Sequence, residues 1–180
     1  MDPRDAPGEP ARARRIVAGV SGSPGSLTAL HRAADEARHR GGELWVVLAW
    51  QSPGGELGAR HHHGGPPLHE LCRSDAVARL RGVLDEAFGG RGAGVTLAGV
   101  AARGAPGPAL LELACRPDDL IVVGTGARRR WPRSSVAAHC LRFAPCPVLA
   151  VPPSPLEADL AQVRRSILWR RPIDVGELTR

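Results

Sequence analysis

Two short segments hold the residues best suited to chemistry. Ser21-Gly22-Ser23-Pro24-Gly25-Ser26 closes one apolar run, and Gly124-Thr125-Gly126, followed by Arg128, Arg129, Arg130, Ser134 and Ser135, closes another. A glycine-bearing turn leading into a helix presents backbone N–H groups and the positive end of the helix dipole, which together accept an anion such as a phosphate. The dipole contributes only about 0.3–1 kcal/mol at an exposed site, against about 1.5–3 kcal/mol for a charge-assisted hydrogen bond from arginine. Arg128, Arg129 and Arg130 would therefore dominate if they faced inward. A tight turn with solvated arginines is the competing reading, because G-x-G alone is a weak signal.

Several chemistries are excluded by what the chain lacks. All 24 basic side chains are arginine and there is no lysine. That removes the Walker phosphate loop, which ends in Gly-Lys-Ser/Thr, and every lysine-nucleophile or Schiff-base mechanism. A Rossmann dinucleotide site needs G-x-G-x-x-G after the first strand and an acid near the end of the second to hold the ribose. Here Gly19, Gly22 and Gly25 fall at three-residue intervals and the second strand ends in Trp50-Gln51, so NAD is not expected. His61, His62 and His63, with His69, offer imidazoles, but consecutive residues in a loop with no Cys or acid at ligand spacing read as solvated rather than as a metal site. No motif links a nucleophile to a base, Ser134 and Ser135 read as helix caps, and His31, His39 and His139 have no identifiable partner. No catalytic residue is assigned.

The formal net charge of +6 admits an anionic partner. Richness in Arg, Ala, Gly and Pro also fits the drift of a GC-rich genome, so the charge is discounted and nucleic acid is not the favoured partner. Cys72, Cys115, Cys140 and Cys146 form no C-x-x-C pair. With no signal peptide and no apolar run near the ~20 residues a membrane span needs, the chain reads as cytoplasmic with reduced, buried thiols.

A chain of 180 residues has room for one domain plus tails. Hydrophobic residues make up 43% but aromatics only 3%, so the core must be built from Val, Leu, Ile and Ala. Residues 1–13 read as a mobile tail. Ile16 to Val20 read as a buried strand; Leu27, Leu30, Ala33, Ala34 and Ala37 then recur at helical spacing after Ser26 as N-cap, until Gly41 and Gly42 stop the helix. Leu44 to Trp50 is the second strand and 51–67 a long loop. A helix from Leu68 puts Cys72, Ala76, Leu80, Val83 and Leu84 on one side and ends at Gly89. Strand three is expected at Val95 to Ala101, a third helix with Pro108 in its first turn is stopped by Pro117, and strand four spans Leu120 to Val123. A fourth helix from about Ser134 to Phe143 and a fifth strand from Pro147 to Val151 complete an open, doubly wound parallel sheet with helices on both faces. In such sheets ligands bind beyond the carboxyl ends of the strands, where strand order reverses, so the two glycine turns should share one crevice.

Three separated pieces over about residues 14–152 resemble the universal stress protein family. Arg15-Ile16-Val17-Ala18-Gly19-Val20-Ser21-Gly22-Ser23 is similar to that family's opening I-V-x-G-V-D-G-S, and Ile121-Val122-Val123-Gly124 to its fourth strand and glycine turn. Ser134-Ser135-Val136-Ala137-Ala138-His139-Cys140, running on through Ala144-Pro145-Cys146-Pro147 to Pro152, is the most specific piece. The resemblance implies an adenine nucleotide alpha hydrolase-like sheet in the order 3-2-1-4-5, dimerisation through edge strand five, and a role in stress survival or signalling. Many members bind ATP through an Asp after strand one, main chain at the end of strand two, and a phosphate motif G-x-x-G, nine residues, then G-[ST]. On this chain those positions are Ser21, Ala49, Gly124, Ala127, Ser134, Ser135 and Val136, with Gly126 and the arginines from Arg128 onward as residues that would compensate for lost glycines. Ser21 replaces the Asp, Ala127 and Ser134 replace two glycines, and only six residues separate Ala127 from Ser134. Glycine alone combines positive φ with close backbone approach, so a degenerate ATP crevice is expected.

Ser21 to Ser26 also faintly resembles the S-G-G-x-D-S loop of the ATP pyrophosphatases, but Ser23 and Gly25 replace its second glycine and its Asp. After Pro152, Pro153 and Pro155, residues Leu156, Leu160, Val163 and Ile167 recur on one helical face beside arginines, marking 153–180 as a Pro-rich linker and an amphipathic basic helix. The expectation is a dimeric regulatory protein with no dedicated catalysis. Its competitor is a dimeric interaction module without nucleotide, acting on an unknown protein partner through strand five, the tail helix and an Arg-rich surface.

Overall fold

The computed structural model describes residues 13–52, 67–89, 91–125 and 135–155. Side-chain alternation along its strands sets the layers. In β1 (Arg15–Val20), Ile16, Ala18 and Val20 face one way and Val17 the other, and all four are buried. A strand apolar on both faces belongs in the middle of a parallel sheet covered on both sides. β1 lies between β2 (Glu43–Trp50) and β4 (Leu120–Gly124), while β3 (Leu97–Arg103) and β5 (Val148–Val151) form the edges. The order is β3-β2-β1-β4-β5 and every pair is parallel.

The Ile16 face packs on α1 (Pro24–Arg40), through Ala29, Leu30, Ala33, Ala34 and Ala37, and on α2 (Leu68–Phe88), through Ala76, Leu80 and Val83. On the Val17 face, α3 (Pro106–Leu113) contributes Leu110 and α4 (Val136–Phe143) contributes Ala137 and Cys140. Small alanines on α1 let that helix lie close to the sheet, which suits a core with few aromatic rings.

Several sequence expectations move. The N-cap of α1 is Ser23 rather than Ser26: Ser23 is extended and Pro24 takes the first helical position, where its missing N–H costs nothing. Strand three lies two residues later than expected, because β2 runs to Trp50 and pairs it with Arg103, while Gly94 at φ +69 keeps the preceding segment in a turn. Helix α4 starts at Val136 with Ser135 as its cap, and β5 starts at Val148. Of the four thiols only Cys140 and Cys146 are buried, and burial pushes both up from their ordinary pKa; Cys72 is half-buried and Cys115 exposed. The tail, the His61 to His63 loop and the C-terminal helix lie outside the described residues.

The amino ends of β1 and β4 are joined by a fork. Arg15 Nε–H donates to Asp119 Oδ1 at 3.0 Å and Nη2–H to Oδ2 at 2.6 Å, with Asp119 only 1% exposed. Oδ2 also accepts the Arg116 N–H at 3.0 Å, and the Arg15 guanidinium lies 5.5 Å from the Trp45 ring centre. The hydrogen bond to Asp119 raises the Arg15 pKa against the opposing effect of burial. Truncating one partner of a buried pair strands the other charge, so Asp119→Ala should cost about 3 kcal/mol, read as a lower urea midpoint. The double change Arg15→Met with Asp119→Leu should recover most of that loss.

Candidate functional site

At the carboxyl end of β1 the chain turns through Ser21, Gly22 and Ser23 into α1. Gly22 has φ +75°, a conformation that side chains disfavour. Ser26 knits the turn from inside: its Oγ–H donates to the Ser23 carbonyl at 2.7 Å and its Oγ accepts the Ser21 N–H at 3.2 Å. The Ser23 hydroxyl accepts the Ser26 N–H at 3.4 Å and lies 3.0 Å from the Ser21 hydroxyl.

The end of β4 rests directly on this turn. A Cβ on Gly124 would lie 2.7 Å from the Gly25 carbonyl oxygen, closer than real contacts permit, so glycine is required there. Strand β4 is held on its other side by Ile121 N–H to the Pro147 carbonyl at 3.0 Å, and beyond its end Thr125 N–H reaches the Val151 carbonyl at 2.9 Å. Beside the turn opens a cleft of about 230 Å³, lined below by Val47, Leu48, Leu110 and Val123 and at its rim by Ser21, Ser23 and Arg79.

Of the residues named from the sequence, Ser21, Ala49, Gly124 and Val136 line this cleft. Ser135 stands apart as the cap of α4, its hydroxyl accepting the Ala138 N–H at 3.1 Å. Gly126, Ala127, Arg128 and Ser134 lie outside the described residues.

Arg79 was not among the expected residues. Its Nη2–H donates to the Ser21 carbonyl at 2.6 Å, and it is the one charged side chain in the lining among the described residues. The signal was its spacing, three residues after Ala76 and four before Val83, which places an arginine at the margin of the buried face of α2. Neutral hydroxyls and one guanidinium suit a ligand with hydrogen-bonding groups and a negative charge. Among the described residues no three His, Cys, Asp or Glu side chains gather as a metal site, and no helix is long and apolar enough to cross a membrane.

A five-stranded parallel sheet in this order, with its crevice between the turns after β1 and β4, defines the adenine nucleotide alpha hydrolase-like fold. The chain matches the universal stress protein family over residues 12–152 and belongs to that family. Among solved structures, a universal stress protein in complex with cAMP is 27% identical, with TM-score 0.60 and coverage of 80% of this chain and 100% of that one. The protein UspA from Lactobacillus plantarum is 21% identical, with TM-score 0.58 and coverage of 78% and 99%. A universal stress protein from Archaeoglobus fulgidus in complex with dAMP is 22% identical, with TM-score 0.52 and coverage of 77% and 96%. Comparison with curated proteins finds no match.

Adding a methyl group at Gly124 must push the two turns apart. Gly124→Ala should destabilise the domain by about 1–3 kcal/mol, seen as a melting temperature lower by several degrees, and should weaken any ligand held between the turns.

Proposed function

We propose that this protein is a cytoplasmic regulatory member of its family that holds an adenine nucleotide in the cleft between the β1 and β4 turns and performs no chemistry on it. The observation that carries this reading is the contact of Gly124 with the Gly25 carbonyl, which makes one hollow from two turns at the strand ends where such sheets take ligands. The complex of a 27% identical relative with cAMP supports a nucleotide as occupant. ATP remains within this reading as one nucleotide among several, since the sequence lacks two of the glycines expected around a triphosphate.

The same family membership supports a homodimer. Strand β5 is terminal in the sheet, none of its four residues is fully buried, and α4 just before it exposes Leu141 at 62% and Phe143 at 56%. An apolar patch beside a strand edge with no neighbour among the described residues fits a second copy of this chain. This surface also favours the second reading, an interaction module that works without nucleotide.

Denaturing the freshly purified protein and weighing what is released should yield an adenine nucleotide, and titration calorimetry of the stripped protein should show saturable, roughly micromolar binding. No released nucleotide and no heat with any adenine nucleotide would select the interaction module. Sedimentation should give a dimer for the native chain and a monomer for Phe143→Glu; a native monomer at all concentrations would remove the β5 interface.

A further inference from the structure

We propose that Cys115 and Cys146 form a peroxide-reactive thiol pair, in which a hydroperoxide oxidises Cys115 and Cys146 then closes a disulfide on it. The pair lies at the amino end of the sheet, away from the cleft, and does not depend on the nucleotide reading.

Of the four thiols Cys115 alone is exposed; Cys72 is half-buried, and Cys140 and Cys146 are buried. Cys115 and Cys146 meet at the end of α3. Cys146 Sγ–H donates to the Ala114 carbonyl at 3.8 Å, and that carbonyl is bonded to the Cys115 nitrogen. Cys115 Sγ accepts from Arg15 Nη2–H at 3.8 Å, and the fork onto Asp119 locks that guanidinium in place. Ala114 caps α3 with φ −93° and ψ 68°, outside the helical region, so Cys115 belongs to the irregular connection between α3 and β4. Bringing its sulfur from Arg15 onto Cys146 asks for an adjustment within that connection, not for movement of a helix or strand.

The two environments divide the roles. An oxidant reaches Cys115 from solvent, and the guanidinium beside its sulfur offers an N–H to the oxygen that adds there. Burial, with the nearby Asp119 carboxylate, pushes the Cys146 thiol up from its ordinary pKa, so it stays protonated and is not the first target. In the first step the Cys115 thiolate attacks one peroxide oxygen. An S–O bond forms, the O–O bond breaks, and the departing hydroxide takes up the proton that the thiol released, leaving a sulfenic acid and water. Cys146 Sγ then attacks the sulfenic sulfur. An S–S bond forms, the S–O bond breaks, and hydroxide leaves as water with the Cys146 proton. Two thiols are oxidised to one disulfide, and one peroxide is reduced to two waters.

The test is to expose the reduced full chain to hydrogen peroxide, block the remaining thiols and map its peptides by mass. Two of the four thiols should be lost together, in a linked peptide pair that joins Cys115 to Cys146, and dithiothreitol should restore both. Cys115→Ser should keep its other thiols under the same exposure, with the melting temperature of the reduced protein unchanged because the residue is exposed. In Cys146→Ala the sulfenic acid at Cys115 should persist and be trapped by dimedone; Cys115→Ser, on the surface, decides the matter if that buried change impairs folding. Four results overturn the assignment: a bridge from Cys140 to Cys146 or between two chains, Cys115 carried on to sulfinic acid while Cys146 stays reduced, thiol loss in Cys115→Ser equal to that of the native chain, or all thiols outlasting a dose that oxidises free cysteine.

Discussion

The approach of Gly124 to the Gly25 carbonyl is the constraint on which the site depends, and it is set by strand pairing. β1 and β4 pair in parallel with Ile16 opposite Leu120, Val17 opposite Ile121 and Ala18 opposite Val122. Those six residues are all 4% exposed or less. A slip of one residue would exchange every side chain between the two faces, moving Val122 from the α1 layer to the α3 layer. The loss of burial, on the order of 1.5–3 kcal/mol for each large apolar side chain, makes such a slip prohibitive. The crevice is thus a consequence of core packing, fixed before any polar residue in it is chosen.

The two ends of the same strand pair carry different tasks. At the amino end the Arg15 fork onto Asp119 satisfies both buried charges. Such a pair adds little net stability over an apolar one, but a pairing that separated its members would leave a charge in the core. It therefore acts against wrong registers more than for the right one. At the carboxyl end the polar groups of the described cleft lining are serine hydroxyls, backbone and Arg79, and they are partly open to solvent. Changes there leave the buried layers untouched, which is where a fold tolerates retuning for a ligand.

The parallel sheet, the helix faces and the shared crevice were legible in the sequence because they follow from apolar periodicity and from turns marked by glycine, whereas the strand order came from the resemblance to the universal stress protein family. Ser21 and Gly124 could be placed for that reason. The N-cap of α1 was misjudged because three serines lie within six residues, and only the buried position of Ser26 shows which of them serves the turn from inside. Strand three slipped because Val95 has the right side chain, while the pairing partner that decides the start is Leu44 on another strand. Arg79 was hidden for a stronger reason. It comes from an element 58 residues beyond Ser21 in the chain, and no local pattern records that a helix covering β2 and β3 will bring its margin to the turn after β1.

That long-range contact also sets the charge at the described part of the cleft rim. Ser21 carries no charge, and Arg79 places a positive one at its carbonyl, so the described part of the rim is positive. Between charges about 4 Å apart, an effective dielectric near 20 gives an interaction of about 4 kcal/mol, whereas bulk water leaves about 1 kcal/mol. The cleft rim lies between these limits. Its apolar floor of Val47, Leu48, Leu110 and Val123 keeps water away from one side of any bound phosphate. A charge at the mouth of such a floor therefore counts for more than one on the open surface, because the floor strengthens every charge placed above it.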